Sequence, residues 1–348
     1  MIKPRSLLIF RFSSLGDVAM TVPVIQLLLQ QHPELQVTFV SNHFVAPLFK
    51  NIDRLQFYAA DLKGKHKGVK GLYRLYKELK KKSSFDAIAD LHDVLRTKVL
   101  RAFFSFSGKR LAIIDKGRKE KKELTRLKNK FLRPLKTTFE RYADVFKSLG
   151  LSVVLNTKEK IKKTDAIDPY FQELKSGGNY LIGLAPFAQY REKTYPIEKM
   201  KEVIRLLSQH PNNYIFLFGS NNEKEALEQW QKEFDRVQSI AGKMVFEKEL
   251  ELIEQLDVMI SMDSANMHLA SLFGVPVVSI WGATHPYAGF YGWAQFPENA
   301  IQIDLYCRPC SVFGNKPGYR GDLACLNNIS PLTVYNKVME NLNATHLK

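Results

Sequence analysis

Long apolar runs are missing from this chain of 348 residues. A membrane-spanning helix needs roughly 20 apolar residues in succession, and no stretch of the sequence approaches that length. The apolar stretch near the N-terminus, Leu7 to Phe10, is also too short for the core of a secretory signal. We therefore expect the protein to stay in the cytoplasm.

Cysteine is scarce, with three residues in the whole chain. This small, odd number argues against an exported disulfide scaffold. Cys307 and Cys310 form a C-x-x-C, and Cys325 follows in a loop rich in glycine and proline. Three thiolates are one ligand short of a closed tetrahedral site. A histidine could supply the fourth ligand, so a structural zinc or iron held by these three cysteines stays open as the less favoured alternative to a metal-free loop.

Two common nucleotide-binding fingerprints are also absent. Neither G-x-G-x-x-G nor a Walker loop occurs where a strand is expected to meet a helix. Their absence argues against a dinucleotide oxidoreductase and against an ATPase.

Acidic residues are few in the first half of the chain. Residues 1–156 hold 31 Lys and Arg against 13 Asp and Glu, whereas the remainder holds 20 against 22. The basic excess concentrates in two runs with Leu, Tyr and Phe between the charges, Lys63–Lys82 and Lys116–Lys136. Such runs fit an anionic surface, either lipid headgroups or nucleic acid, and are equally typical of a solvated helix face.

Short apolar strands alternate with amphipathic helices along the chain, and the pattern restarts after the polar stretch Asn156–Gly178. The predicted strands are Ser6–Phe12, Gln36–Ser41, Leu55–Ala59, Asp86–Asp90, Arg110–Ile114, Tyr180–Leu184, Tyr214–Phe218, Val258–Ser261 and Val275–Trp281. The predicted helices include Val18–Gln31, Ile197–Gln209 and Ala265–Phe273. This alternation predicts parallel sheets covered by helices on both faces. We therefore predict an α/β protein with two doubly wound, Rossmann-like domains that face a central cleft. The predicted divisions are a first domain at 1–156, a linker at 157–178, a second domain at 179–330 and a C-terminal helix at 331–348 that packs back on the first domain.

Three segments directly follow predicted strands, where doubly wound folds bind their ligands. They are Ser13–Asp17 (SSLGD), Ala185–Pro196 (APFAQYREKTYP) and Met262–Ser271 (MDSANMHLAS). Ser, Gly and Asp at a strand-to-helix corner are also the ordinary residues of a helix cap. A lone histidine near a helix start, such as His268, is by default structural.

Taken together, these segments resemble glycosyltransferase family 9, the bacterial lipopolysaccharide heptosyltransferases. The resemblance rests on RFSSLGDVAMTVPVIQLL, on the Lys193–Pro196 run and on MDSANMHLASLFGVPVVSIWGATHP, and it extends from Ser6 to Ser330. It implies a GT-B fold and an inverting transfer of heptose from a nucleotide sugar, typically ADP-L-glycero-D-manno-heptose, to the lipopolysaccharide inner core. The donor would bind the second domain, and an anionic lipid-linked saccharide acceptor would bind the basic first domain.

The resemblance also assigns roles to particular residues. Asp17 matches the catalytic base, Ser14 and Gly16 lie beside it on the acceptor side, and Arg96 matches a basic residue that meets acidic acceptor sugars. The residues that match the donor site are Lys193 at the phosphates, Asp263, Ser264 and Ala265 at a helix start, His268, Glu223 at the ribose and Met244 at the adenine. The family commonly has glycine at the position of Ala265, whose methyl group would hold the backbone farther from the phosphates.

The resemblance implies chemistry at two groups. Asp17 would take the proton of the acceptor hydroxyl as that oxygen attacks the anomeric carbon. A helix N-terminus stabilises a carboxylate as the anion and weakens it as a base, but a proton that leaves late in the reaction needs only a modest base. No Asp-x-Asp pair for a divalent metal occurs in the chain. Lys193 and helix N–H groups would therefore stabilise the departing diphosphate, and we expect no cofactor in the chemistry.

The resulting expectation is a metal-independent heptosyltransferase that is peripheral on the cytoplasmic face of the inner membrane and has no nucleic-acid partner. Two alternatives stay open. One is another GT-B enzyme of sugar nucleotides, such as an epimerase. The other is a non-catalytic binder of anionic lipid or nucleic acid, which the charge alone would suggest.

Overall fold

The computed structural model describes residues 3–105, 108–156 and 168–346. The chain divides into two compact units: unit 1 comprises residues 1–117 and 136–159, and unit 2 comprises residues 118–135 and 160–348. The strands are β1 (Ser6–Phe10), β2 (Gln36–Ser41), β3 (Leu55–Ala59), β4 (Ala87–Asp90), β5 (Arg110–Ile113), β6 (Tyr180–Ala185), β7 (Asn213–Leu217), β8 (Val237–Ser239), β9 (Val258–Met262), β10 (Val277–Ile280) and β11 (Ala300–Ile301).

Helices connect the strands in both units. They are α1 (Leu15–Ala19), α2 (Thr21–Gln31), α3 (Gly68–Lys82), α4 (Leu95–Ser105), α5 (Arg118–Thr125), α6 (Thr138–Ser148), α7 (Pro169–Ser176), α8 (Ile197–Ser208), α9 (Lys224–Glu233), α10 (Phe246–Gln255), α11 (Ala265–Leu272), α12 (Ala324–Asn327) and α13 (Pro331–His346). Among the described residues, no helix combines the length and apolar character that crossing a membrane requires.

Unit 1 is built on a five-stranded parallel sheet in the order β3-β2-β1-β4-β5. The central strand β1 is apolar from Leu7 to Phe10 and buried throughout, as expected for a parallel strand with both faces covered. On one face, α3 and α4 bury leucines and Phe104 against Leu8 and Phe10 of β1. This packing fixes the carboxyl end of β1, from which the predicted base segment departs.

Unit 2 is built on a six-stranded parallel sheet in the order β11-β10-β9-β6-β7-β8. The last helix, α13, contributes Val334, Val338 and Leu342 to the core of this sheet. Their spacing of four residues places them on one helical face, which packs against α8, β9 and β10. The sequence predicts packing of this helix on the first domain, and the structure instead buries it in unit 2.

A second difference concerns residues 118–135, which contain most of the second basic run and group with unit 2. Leu124 and Leu135 form a small apolar cluster with Ala288, and Phe290 packs against it. The ammonium group of Lys130 donates to the carbonyl oxygens of Cys307 and Pro309 at 2.7 and 3.0 Å. The first predicted domain is therefore interrupted by a segment that packs elsewhere.

The predicted class, α/β with two doubly wound parallel sheets, is confirmed. In both units the first three strands follow one another outward from the centre of the sheet, and the later strands are added on the other side of the first strand. This is the Rossmann-like strand order. Of the predicted linker, residues 157–167 lie outside the described residues. Its remaining part forms helix α7, whose N-cap Asp168 accepts a hydrogen bond from the Tyr170 amide.

Candidate active site

Each sheet has one point at which the strand order reverses. In unit 1 this point lies between β1 and β4, and in unit 2 it lies between β6 and β9. Connections that leave two such neighbouring strands go to opposite sides of the sheet and open a crevice at their carboxyl ends, where ligands bind. Asp17 follows β1, whereas Lys193 and Asp263 follow β6 and β9. The predicted residues thus lie at the switch points of their own sheets.

Asp17 occupies the first turn of α1, and its carboxylate is held by two neighbours. Oδ2 accepts hydrogen bonds from the hydroxyl and the amide of Ser14, at 2.7 and 3.4 Å. The same oxygen forms an ion pair with Arg11 Nη2 at 2.7 Å. Gly16 is buried inside this turn, whereas the Asp17 side chain keeps 26% of its surface exposed. The carboxylate is therefore fixed in place and still reachable from solvent.

Arg11 lies at the end of β1 and is buried. Its Nη1 donates to the carbonyl oxygen of Leu91 at 2.7 Å, and its own carbonyl oxygen accepts from the hydroxyl of Ser41 at 2.6 Å. Burial by itself would lower the pKa of Arg11, but the neighbouring Tyr142 and Asp17 raise it above its ordinary value. A permanently charged guanidinium is therefore anchored beside the candidate base.

His92 follows β4, across the switch point from Asp17. Its Nδ1 accepts a hydrogen bond from the Phe12 amide at 3.3 Å. Burial, reinforced by the positive charges of Arg11 and Lys116, lowers the pKa of His92 to about 3. The imidazole is consequently neutral at physiological pH and acts as a hydrogen-bond acceptor for the segment that leads to Asp17.

The turn after β4 is organised by the fully buried carboxylate of Asp90. It accepts from the amides of His92 and Asp93 at 2.9 and 2.8 Å, and from Arg101 Nη1 at 2.8 Å. The predicted acceptor residue Arg96 lies exposed in the first turn of α4, directly after this turn. Asp90 and Arg101 thus set the position from which Arg96 extends.

Lys193 and Asp263 form the central pair of unit 2. Lys193 ends a single turn of 3-10 helix (Arg191–Lys193) that follows β6, and Asp263 directly follows β9. Lys193 Nζ lies 3.0 Å from Asp263 Oδ2, and the two side chains are only 15% and 9% exposed. Because β6 and β9 are adjacent, the sheet itself brings these distant residues of the sequence together.

The methylene stem of Lys193 is covered by the backbone of the cysteine loop. A Cβ atom placed on Gly314 would lie 2.5 Å from both Cγ and Cδ of Lys193, and Gly314 has a φ of +76°. Both facts require glycine at this position. A hydrogen bond from the Gly314 amide to the Ser311 hydroxyl, at 2.9 Å, fixes the close approach.

Helix α11 begins directly beside Asp263. Within the described residues, the N-cap Ser264 makes no side-chain capping bond to α11, and its hydroxyl lies 3.1 Å from that of Ser261. Ala265 opens the helix, and His268 is buried one turn later. The structure therefore places Ser264, Ala265 and His268 with Asp263 at the N-terminal end of one helix.

Glu223 and Met244 lie beyond the ends of β7 and β8, the next strands of the same sheet. Glu223 Oε2 accepts from the amide and hydroxyl of Ser220 at 2.6 and 2.9 Å, which caps the turn before α9. Met244 is half-buried in the loop after β8. A Cβ atom on Gly242 would lie 2.3 Å from Asn221 Oδ1, so the two loops are in close contact.

Arg308, inside the C-x-x-C, organises the loop after β10. Its guanidinium is buried and donates to the carbonyl oxygens of Gly282 and Thr284 at 2.6 and 2.9 Å. The amide of Ala283 donates in turn to the Glu192 carbonyl oxygen at 3.0 Å. Arg308 therefore supports the turn that carries Lys193 through one intervening loop.

The three cysteines are free and buried. Cys310 Sγ donates to the Cys307 carbonyl oxygen at 3.1 Å. Burial raises the pKa of the thiols of Cys310 and Cys325, which favours their protonated form. Across the described parts of the chain, no group of three or more His, Cys, Asp or Glu side chains is arranged to hold a metal ion.

Arg11, His92 and Arg308 were not singled out by sequence reasoning. Arg11 had a visible signal, because a charged residue at the end of an apolar strand must find a partner when it is buried. His92 lies in the DLHD segment directly after a predicted strand, and this position, where doubly wound folds bind ligands, is its signal in the sequence. Nothing in the sequence distinguishes Arg308 from an exposed loop arginine.

Comparisons with known proteins identify the family of this chain. The sequence model of glycosyltransferase family 9 (heptosyltransferase) matches residues 72–316. The lipopolysaccharide core heptosyltransferase OpsX of Haemophilus influenzae is 27% identical over 297 residues, which cover 81% of this chain and 80% of that protein.

Solved structures share the fold. The glycosyltransferase family 9 protein of Veillonella parvula superposes with a TM-score of 0.78 at 19% identity and covers 99% of both chains. The E. coli heptosyltransferase WaaC with ADP superposes with a TM-score of 0.64 at 19% identity, covering 97% of this chain and 99% of that one. The pair of doubly wound units is therefore the GT-B architecture.

Proposed function

This chain belongs to glycosyltransferase family 9, the heptosyltransferases, and from that membership we propose the reaction that it catalyses. It transfers a heptose, with inversion, from ADP-L-glycero-D-manno-heptose or a similar nucleotide sugar to the inner core of lipopolysaccharide. The observation that carries the proposal is the ion pair of Lys193 and Asp263 at the switch point of unit 2, beside the start of α11.

Unit 2 binds the nucleotide sugar in this proposal. Lys193 and the first N–H groups of α11 meet the diphosphate, because a cation and a helix N-terminus both favour negative charge. Asp263 holds the Lys193 ammonium at 3.0 Å and can accept hydrogen bonds from donor hydroxyl groups. Ser264 and Ala265 supply the backbone of this site, and His268 closes it one turn into the helix.

The nucleoside end of the donor lies over the adjoining strands. Glu223 accepts from the ribose hydroxyl groups and Met244 packs on the adenine. Support comes from the order β9-β6-β7-β8, which sets the Asp263, Lys193, Glu223 and Met244 segments side by side in that sequence. The solved structure of WaaC contains ADP, which agrees with an adenine nucleotide as the carrier.

Asp17 is the general base of the proposed reaction. The acceptor oxygen forms a bond to the anomeric carbon while the bond from that carbon to the diphosphate oxygen breaks, and the hydroxyl proton passes to the Asp17 carboxylate. Ser14 and Arg11 hold the carboxylate during this step. Lys193 and the α11 amides stabilise the charge that develops on the departing diphosphate, so the chemistry needs no metal.

The acceptor is an anionic saccharide linked to lipid and is recognised by unit 1. Arg96 has the planar guanidinium that suits a sugar carboxylate, and its exposure at the start of α4 leaves it free to reach one. Because this acceptor is embedded in a bilayer, the enzyme acts at a membrane surface. We propose that it is a peripheral protein on the cytoplasmic face of the inner membrane. Nucleic acid is not a partner.

The substitution Asp17→Asn tests the base. We expect ADP release, with ADP-heptose and an acceptor of lipid A bearing acidic sugars, to fall about a hundredfold or more. The affinity for ADP should be unchanged, because Asp17 belongs to unit 1 and the donor residues to unit 2. Asp144→Asn, on the exposed surface of α6, is the matched control and should retain full turnover. Equal turnover in the Asp17 variant would remove the base assignment.

Titration with ADP, UDP and GDP tests the donor class. ADP should bind best, and a clear preference for UDP would contradict the heptose proposal. A non-catalytic binder would release no nucleoside diphosphate and would show steeply salt-dependent affinity for duplexes.

A further inference from the structure

An exposed surface of unit 1 carries aromatic and basic side chains that the proposed reaction does not use. We name it the α3/α4 face. Its members are Val69, Tyr73, Tyr76, Lys77 and Lys80 on α3 and Phe103 on α4.

Helix α3 is strongly two-sided. Leu72, Leu75 and Leu79 are buried in the core of unit 1. The flank of α3 beside these leucines presents Val69 and Tyr73, one turn apart, with 62% and 45% of their surfaces exposed. An apolar pair exposed in one stripe differs from an ordinary solvated helix face, on which polar residues are expected.

Aromatic rings join the two helices at this face. The Tyr73 and Tyr76 rings lie 5.4 and 5.8 Å from the ring of Phe103. Lys77 Nζ lies 4.8 Å from the centre of the Tyr73 ring, and Lys80 Nζ lies 5.9 Å from that of Tyr76. The face is therefore a layer of apolar rings bordered by ammonium groups.

The two helices are strongly basic. Together α3 and α4 contain nine Lys and Arg residues and one carboxylate, Glu78. Glu78 is turned to other partners: it accepts from Tyr58, from His66 Nε2 at 3.1 Å and from Lys65 at 3.3 Å. The ammonium groups of Lys77 and Lys80 are thus left to attract an external anionic partner.

We infer that the α3/α4 face docks the protein on an anionic phospholipid bilayer. Val69 and the rings enter the boundary between headgroups and acyl chains, and the lysines extend to the lipid phosphates. A nucleic-acid duplex would match the lysines but would offer no apolar layer to Val69. The inference rests on the proposed function, which places the acceptor in a bilayer, and it identifies the elements that meet that bilayer.

Vesicle binding tests the charged part of the inference. The whole protein should co-sediment with vesicles made of phosphatidylglycerol and phosphatidylcholine in equal parts, and only weakly with pure phosphatidylcholine. The double variant Lys77→Ser, Lys80→Ser should lower the partition coefficient about fivefold per lysine and so about 25-fold in total. The control variant Lys147→Ser, Lys232→Ser removes two exposed lysines outside α3 and α4 and should bind like the unaltered protein.

Fluorescence tests the apolar part. In the variant Tyr73→Trp, the new indole should be quenched when the vesicles contain lipids brominated on their acyl chains. Tyr170→Trp is the matched control, because Tyr170 is exposed to the same degree, 46% against 45%, but lies on α7. Its emission should not respond to the brominated lipid.

Three results would overturn the inference: equal binding to both kinds of vesicle, full binding by the Lys77, Lys80 variant, or an unquenched indole signal from vesicle-bound Tyr73→Trp protein. Competition by duplex DNA with loss of vesicle binding would point to nucleic acid instead. ADP release from a short-chain acceptor, measured without vesicles, separates the two proposals. Turnover without vesicle binding refutes only the docking face, and vesicle binding without turnover refutes only the proposed reaction.

Discussion

At the scale of single residues, the ion pair of Arg11 and Asp17 explains how one side chain can be both a helix cap and a candidate base. The Ser14 hydroxyl and the Arg11 guanidinium both approach Oδ2 of the carboxylate. They keep the group in one place, and 26% of the side chain stays open to solvent. The two interpretations of Asp17 that the sequence offers are therefore compatible in the structure.

Replacement of Arg11 by a neutral residue should lower both the stability of the protein and its turnover. Arg11→Met breaks the ion pair and leaves the Leu91 carbonyl oxygen without its donor. We expect the free energy of unfolding to fall by about 2 kcal/mol and ADP release to fall as well. Arg96→Met, on the exposed surface, should change stability by less than about 0.5 kcal/mol. Urea denaturation measures both variants, and equal stabilities would show that Arg11 does not anchor this segment.

His92 should make stability depend on pH. Below about pH 6.5 the unfolded chain takes up a proton on this side chain, whereas the folded chain, with a pKa of about 3, does not. The free energy of unfolding should therefore decrease as pH falls through this window, by at most about 1.4 kcal/mol per pH unit for one histidine. His285, with a pKa lowered by burial to about 4, contributes in the same direction.

The variant His92→Gln isolates the first of these contributions. Denaturation midpoints measured at about pH 5 and about pH 7 should differ less in the variant than in the unaltered protein. A difference as large as before would mean that His92 titrates alike in the folded and unfolded chains.

At the scale of elements, the contact of the cysteine loop with Lys193 gives a specific prediction. Gly314→Ala would place a methyl group 2.5 Å from the Lys193 stem, at a φ of +76°. Gly321→Ala introduces a similar backbone strain, at a φ of +73°, with no atom within 4 Å of the new methyl group. Gly321→Ala should lose about 1 kcal/mol of stability through this strain, and Gly314→Ala should lose at least as much because its methyl group also displaces the Lys193 stem. Only Gly314→Ala should weaken ADP binding, by about tenfold. Calorimetric titration with ADP measures the difference, and equal affinities would dissociate the loop from the donor site.

The elements themselves were largely predictable, because parallel strands buried on both faces are continuous apolar runs. β2 and β3 have the predicted bounds, and α8 and α11 differ by one residue at their ends. The strands β8 and β11, three and two residues long, were missed since so short a run carries no period. One predicted helix, Val18 to Gln31, begins earlier and divides into α1 and α2 at Met20.

The candidate site was predictable only in part. Family resemblance named Asp17, Lys193 and Asp263, and the strand order accounts for their positions at the two switch points. Their supporting partners were not predicted, because the contacts of Arg11 with Leu91 and of Arg308 with Gly282 join positions far apart in sequence. Such pairings depend on the sheet order and on loop paths, which a single sequence does not display.

At the scale of the whole molecule, the predicted first domain, residues 1–156, does not coincide with one packed unit. The basic excess of residues 1–156 is real, but residues 118–135 pack with unit 2 through Leu124 and Leu135. Short apolar positions inside a basic run decide this packing. Net charge, counted over a long window, hides them.

The C-terminal helix should be essential to unit 2. Leu342→Ala removes a fully buried side chain from its core, which should lower the free energy of unfolding by about 2–5 kcal/mol. Leu332→Ala, on the same helix but 54% exposed, should cost less than about 0.5 kcal/mol. Tryptophan emission can follow the transition, because all three tryptophans, Trp230, Trp281 and Trp293, belong to unit 2. Equal midpoints would place α13 outside the cooperative core.

The excursion of residues 118–135 into unit 2 also affects how the polypeptide can be divided. Cleavage between Asn156 and Asp168 would cut the chain where unit 1 ends in sequence, yet the N-terminal piece would keep a buried anchor in the C-terminal piece through Leu124, Lys130 and Leu135. The two pieces should elute together after proteolysis. When they are expressed from two separate genes, they should associate and reconstitute the protein by fragment complementation.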